Sequence, residues 1–258
     1  MLATTLAHLS TKKKRTFEIL IVDDGSSDGT TGKAIELAHQ YPKCEIRVAK
    51  LQKNLGKGGA VRHAMLHSRG ERLLMVDADG ASRFEDLELL WKAMDRLAPK
   101  NEPAVVVGSR AHLVKTDAVV RVRRLLIYMM FHTDVSNECQ RSLLRNILMY
   151  GLHTILRIVG VGHIRDTQCG FKLFTRRAAQ QIFPAQHLTT WIFDVELLLL
   201  AKQLGIPVEE VPVEWHEVAG SKLNVVVDSL QMLRDLLVLR GNQLFGRWKV
   251  VPVREKAD

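Results

Sequence analysis

Four short apolar runs within the first 110 residues, separated by segments of helical pattern, constrain this chain more than any other feature. FEILIVDD, EIRVAKL, ERLLMVDAD and PAVVVGSR have strand length and end in turn or polar residues. Between them lie GKAIELAHQY, KGGAVRHAMLHS and FEDLELLWKAMDRL, whose apolar residues recur at helical spacing. Strands alternating with helices predict parallel βαβ units, and hence an α/β fold with a mostly parallel sheet covered on both faces. Such sheets present ligands to the carboxyl ends of their strands. Here those ends carry Asp23 and Asp24, Asp77 and Asp79, and Ser109 with Arg110.

Downstream the character changes. Residues 119–161 contain VRVRRLLIYMMFH and RSLLRNILMYGLHTILRIVG, apolar segments studded with arginine and almost free of acid. A basic amphipathic helix of this kind suits the interfacial layer of an anionic membrane; a pair of core-packing helices with solvated arginines has the same composition. IRDTQCGFKLF, the helical WIFDVELLLLAKQLG and the strand-like VEEVPVEWHEV follow, and residues 223–248 read as another basic amphipathic helix. The formal charge of +9 calls for an anionic partner, a phosphorylated substrate or an acidic membrane surface. No zinc-finger or RNP-like motif accompanies it, so nucleic acid is not expected. The three cysteines, Cys44, Cys139 and Cys169, have neither disulfide nor zinc-site spacing. The first residues lack the apolar core of a signal peptide, and no stretch approaches the roughly 18 apolar residues of a membrane span, which predicts a chain that is soluble or lies on a membrane surface.

Asp77 and Asp79, two apart at a strand end, can turn toward one point and hold a divalent cation such as Mg²⁺ or Mn²⁺ against a diphosphate. A strand-ending turn also favours Asp and Gly. Asp23 and Asp24 could accept hydrogen bonds from a nucleobase or ribose, with Asp28 or Thr30 capping the next helix. Asn54–Ala60 is a Gly-rich turn before a helix. It fails the P-loop pattern because Gly58 stands where Ser or Thr should follow Lys57, yet its amides and Lys57 could meet a diphosphate. Asp194 and Glu196 fall at a helix start, where acids are also favourable for the helix dipole alone.

Taken together and in this order, VDDGSSDGT, NLGKGGAVRHAM, VDADGA, GSRAHL, IRDTQCGFKLF, WIFDVELL and EVAGSKL resemble glycosyltransferase family two, and within it the dolichyl-phosphate β-glucosyltransferases. The resemblance runs from about residue 17 to residue 248. It implies one GT-A (nucleotide-diphospho-sugar transferase) domain over residues 1–258, a UDP-glucose donor, dolichyl phosphate as acceptor, inversion at the anomeric carbon, and a place on the cytosolic face of the endoplasmic reticulum membrane. By motif position it implies that Asp23, Asp24 and Lys57 serve the nucleotide and that Asp77 and Asp79 hold metal and diphosphate. Arg110, with Arg124 and Arg145 as further candidates, would meet the lipid phosphate. Asp166, Gln168 and Lys172 would line the sugar pocket with Asp194 and Glu196 beneath, so that Asp79, Asp166 and Asp194 form the catalytic set.

A phosphate acceptor is anionic at neutral pH and needs no obligate general base, so alignment and charge neutralisation should supply most of the rate. The family pattern begins with a membrane-spanning helix and a strand that precede Phe17, and it is shorter around Leu125–Gln140. Two other readings follow: a mannose synthase-like transferase using GDP-mannose, or an inactive truncated form that only binds membrane or partners.

Overall fold

The computed structural model describes residues 1–11, 15–112, 164–216 and 225–248. The expected interface segment 119–161, the extra sequence of Leu125–Gln140, Arg124, Arg145 and EVAGSKL lie outside the described residues. The order of elements is α1 (Leu2–Thr11), β1 (Glu18–Asp23), α2 (Thr30–Gln40), β2 (Glu45–Lys50), α3 (Lys57–His67), β3 (Arg72–Val76), α4 (Leu87–Leu97), β4 (Val105–Ser109), β5 (Phe171–Thr175), α5 (Arg176–Ile182), α6 (Phe193–Gln203), β6 (Val208–Pro212) and α7 (Val225–Leu244).

All four expected strands form, within a few residues of their apolar runs. β1 and β2 pair in parallel from Glu18 opposite Glu45 to Asp23 opposite Lys50. The remaining strands make a second sheet in the order β3-β5-β4-β6. β4 and β6 are parallel, whereas β5 runs antiparallel to both β3 and β4. β5 therefore separates two strands that the simple alternation would have made neighbours. Every residue of β4 and β5 is buried, as strands covered on both faces must be. One apolar cluster fills the side of α5 and α6, with Phe174, Phe183, Phe193 and Leu197 at its centre. The other lies under α4, with Leu90, Met94, Val106 and Phe171. Phe193–Ala201 of α6 are all buried, including Asp194 and Glu196, which explains a helix without a polar stripe.

α1 was not expected. Leu6 and Thr5 are buried, Leu9 packs against the α4 cluster, and the segment is fastened by Glu88, which receives Arg15 at 2.8 and 3.0 Å and His8 Nε2 at 3.1 Å. Among the described residues no helix is long and apolar enough to cross a membrane.

Candidate active site

Asp77 and Asp79 follow the carboxyl end of β3. Asp77 is half-buried. Its backbone N–H donates to the Gly170 carbonyl at 3.1 Å, and its Oδ2 receives Nζ of Lys57 at 2.8 Å. Asp79 is exposed, with Oδ1 accepting the Ala81 N–H at 2.9 Å across the turn that Gly80 makes at φ 80°. The Lys57 ammonium on Asp77 marks the place as one that holds positive charge. Among the described residues no third His, Cys, Asp or Glu joins the pair to make a metal cage. The donor set fits Mg²⁺ or Mn²⁺ bound by one or two carboxylates and completed by phosphate and water.

β1 ends in two aspartates with separate tasks. Asp23 is buried, accepts the Ser26 N–H at 2.9 Å and the Thr31 hydroxyl, and is held below the usual carboxylate range by those hydrogen bonds, Ser26 first. Asp24 accepts the Leu55 and Gly56 N–H groups at 2.7 and 2.9 Å. Gly58 N–H donates to Thr189 O at 2.7 Å, and Gly56, at φ 83°, presses against the same carbonyl. The Gly-rich turn therefore differs from expectation. Its amides are engaged by Asp24 and Thr189 instead of standing open to a diphosphate, and the turn's remaining offering is the Lys57 side chain. Asp24 in turn is a loop fastener, with both carboxylate oxygens on that turn.

At the end of β4, Arg110 grips Asp166 through Nε to Oδ2 at 2.7 Å and Nη2 to Oδ1 at 2.9 Å, and its own N–H adds a third bond at 2.9 Å. Although burial pushes the Asp166 carboxyl up, the guanidinium beside it holds it below its ordinary range. Arg110 is itself pushed further up by Asp166 and lies 5.3 Å from the Trp215 ring centre. Glu210 of β6 receives the Arg165 and Asp166 N–H groups at 3.1 and 3.0 Å. Lys172, fully buried on β5, donates to Asp194 of α6 and to Cys169 O. Burial raises the Asp194 carboxyl despite that ammonium. Gln168 approaches Met232 of α7, Nε2 to Sδ 3.9 Å.

Glu196 departs from the expected pocket. Its carboxylate takes the N–H of His187 at 3.0 Å and of Leu188 at 2.6 Å, and burial raises it in spite of those bonds. It shapes residues 186–190, which support Gly56 and Gly58 from behind, and Gln186 Nε2 adds a bond to Gly58 O at 3.0 Å. The structure thus brings Lys57, Asp77, Arg110, Asp166, Lys172 and Asp194 within electrostatic reach of one another at the carboxyl ends of β3 and β4, whereas Asp23, Asp24 and Glu196 bond to the turns nearby. Gly170, Glu210 and Thr189 were missed. Their parts are backbone, second-row or spatial, and no local pattern announces them.

A profile of Glycosyl transferase family 2 matches residues 1–183, and the chain belongs to that family. It is 43% identical over 258 residues to the dolichyl-phosphate β-glucosyltransferase of Saccharomyces cerevisiae, covering 96% of this chain and 72% of the yeast one. To the Homo sapiens enzyme of the same name it is 42% identical over 260 residues, covering 99% and 74%. Among solved structures, mannosyl-3-phosphoglycerate synthase from Rubrobacter xylanophilus superposes with a TM-score of 0.55 at 16% identity, covering 96% and 70% of the two chains. Glucosyl-3-phosphoglycerate synthase from Mycobacterium tuberculosis, in complex with Mn²⁺, UDP and glucosyl-3-phosphoglycerate, gives 0.53 at 16% identity, covering 93% and 76%. These two establish the shared GT-A fold.

Proposed function

We propose that this chain transfers glucose from UDP-glucose to dolichyl phosphate, giving dolichyl β-D-glucosyl phosphate, the lipid-linked glucose donor for N-glycan precursor assembly, at the cytosolic face of the endoplasmic reticulum membrane. The observation that carries the reading is the 43% identity to a dolichyl-phosphate β-glucosyltransferase across 96% of the chain. The same relatives favour glucose over mannose.

In this reading Asp79 and Asp77 hold Mg²⁺ or Mn²⁺, which when bound offsets the charge developing on the leaving diphosphate. Lys57 faces the same diphosphate, carried there by the turn that Asp24 fastens. Arg110 uses Nε and Nη2 on Asp166, leaving Nη1 for the phosphate of the acceptor. Asp166, Gln168 and Lys172 bound the sugar side, and Lys172 with Asp194 supplies a fixed buried dipole there. The acceptor oxygen arrives already anionic, so these residues align and neutralise and need not abstract a proton.

A lipid acceptor requires contact with a bilayer. α7 supports that contact: Leu230, Leu237, Val238, Leu244 and Phe245 are 62, 64, 43, 85 and 83% exposed on one face of a helix that also carries Arg234. The basic, apolar sequence of residues 119–161 suits a second interfacial segment, with Arg124 and Arg145 as further candidates for the lipid phosphate. Incorporation of labelled glucose from UDP-glucose into dolichyl phosphate tests the whole reading, with Asp79→Ala expected to lose about 10²-fold or more. A folded chain that transfers nothing, or that prefers GDP-mannose, would overturn it.

A further inference from the structure

Lys57 and Gly170 meet on one carboxylate from different sides. Lys57 opens α3 and sets its ammonium 2.8 Å from Asp77 Oδ2. Gly170 lies so close that a Cβ built there would stand 2.0 Å from Asp77 Oδ2 and 2.3 Å from its Cγ. Gly170 is absent from the glycines at positive φ, so the backbone conformation does not demand it; the space taken by Asp77 does. The hydrogen bond from Asp77 N–H to Gly170 O fixes the two chains at that separation.

As a stabilising ion pair the contact is weak. Lys57 and Asp77 keep 26 and 32% of their side-chain surface exposed, and partly solvated pairs of this kind contribute little. A pair that is easily parted, on a carboxylate boxed in by a missing side chain, has the properties of a placeholder. We propose that Gly170 is a positioning residue for Asp77, clearing the volume its carboxylate occupies, and that Lys57 is a tethered cation that occupies that carboxylate in place of a divalent ion. When the ion binds, Lys57 is released toward the donor diphosphate. The proposal rests on the reading of Asp77 as a metal-binding carboxylate given above.

The two residues act on metal affinity with opposite signs, which a merely structural role does not produce. Titration of Mn²⁺ into the full chain without nucleotide, read by the electron paramagnetic resonance signal of free Mn²⁺, makes the comparison. Lys57→Met, which removes the competing cation, is expected to bind Mn²⁺ about threefold to fivefold more tightly. Lys57→Arg, which restores it, should bind like the wild type. Gly170→Ala displaces the carboxylate and should bind about tenfold more weakly. If Gly170→Ala does not fold, the two Lys57 variants decide alone. Wild-type binding that is abolished by Asp79→Ala but indifferent to Lys57→Met overturns the placeholder role of Lys57 and leaves the metal reading intact. Mn²⁺ that binds none of the proteins, with or without UDP, overturns both.

Discussion

The guanidinium of Arg110 and the carboxylate of Asp166 lie in a two-point grip, Nε to Oδ2 at 2.7 Å and Nη2 to Oδ1 at 2.9 Å. They come from residues 56 apart in sequence, one at the end of β4 and the other in the loop before β5. Planar pairing of this kind fixes orientation as well as charge. It couples the candidate contact to the acceptor phosphate with the candidate wall of the sugar pocket, so neither side chain moves without the other.

That pairing makes stability depend on pH in a stated direction. Asp166 is held below its ordinary range in the fold, so its contribution is complete above the unfolded carboxylate pKa of about 3.9 and is lost as pH falls toward the folded value. Asp166→Asn should cost roughly 2 kcal/mol at pH 7 by urea unfolding. The gap to the wild type should narrow as pH falls from about 4 toward about 2. A gap that stays constant across that range would show that Asp166 is not the titrating partner.

Lys172 and Asp194 form the buried counterpart, with neither side chain appreciably exposed. Removing one member of a buried pair strands the other, at about 3–5 kcal/mol, whereas apolar replacement of both is often far milder. Lys172→Met and Asp194→Leu should each destabilise more than the double variant does, by thermal or urea unfolding. Their fully additive loss would show that the two do not interact. Asp194 is walled in while Asp79 is exposed, so Asp194→Asn should also reduce transfer less than Asp79→Asn does.

Cys169 offers a check on burial at the site loop. Its thiol is 1% exposed and pushed up to about 11 by burial, so at pH 8 only about one molecule in a thousand carries the thiolate, the form that alkylates. Iodoacetamide at pH 8 should leave Cys169 unmodified in the native chain and label it after unfolding in urea, as read by peptide mass spectrometry. Native labelling as fast as unfolded labelling would mean that the loop 165–170 is open.

The strands from β1 to β4 were legible because each is a short apolar run followed by a helix, and the site followed from where those runs end. β5 was not legible as a partner. Its five residues sit between β3 and β4 only because the chain returns from some 60 residues away, and local periodicity carries no such information. α1 carries Leu2, Leu6 and Leu9 at helical spacing, so its signal was present and passed over. The separation of Asp194 from Glu196 was also derivable, since residues two apart on a helix do not face one point. The engagement of Asp24 with the amides of Leu55 and Gly56 was out of reach. Nothing near an aspartate in sequence reveals that a turn 31 residues on will fold over it.

The exposed face of α7 separates membrane contact from folding. Leu236 and Leu239, each 1% exposed, seat the helix on the core, and Asp235 accepts the Thr190 hydroxyl at 2.5 Å, tying the helix to the loop beside Lys57. Leu237 and Phe245 point away from that seat, so charge placed there should leave folding within about 0.5 kcal/mol of the wild type. On vesicles the same change matters, because each large apolar side chain buried in the interface contributes about 1.5–3 kcal/mol. Leu237→Glu with Phe245→Glu should therefore weaken cosedimentation with vesicles containing anionic lipid about tenfold or more while the melting temperature is unchanged. The defect should appear in transfer to dolichyl phosphate in a bilayer and vanish for a short-chain, water-soluble polyprenyl phosphate. Equal loss with both acceptors would place the helix in the chemistry and not at the membrane.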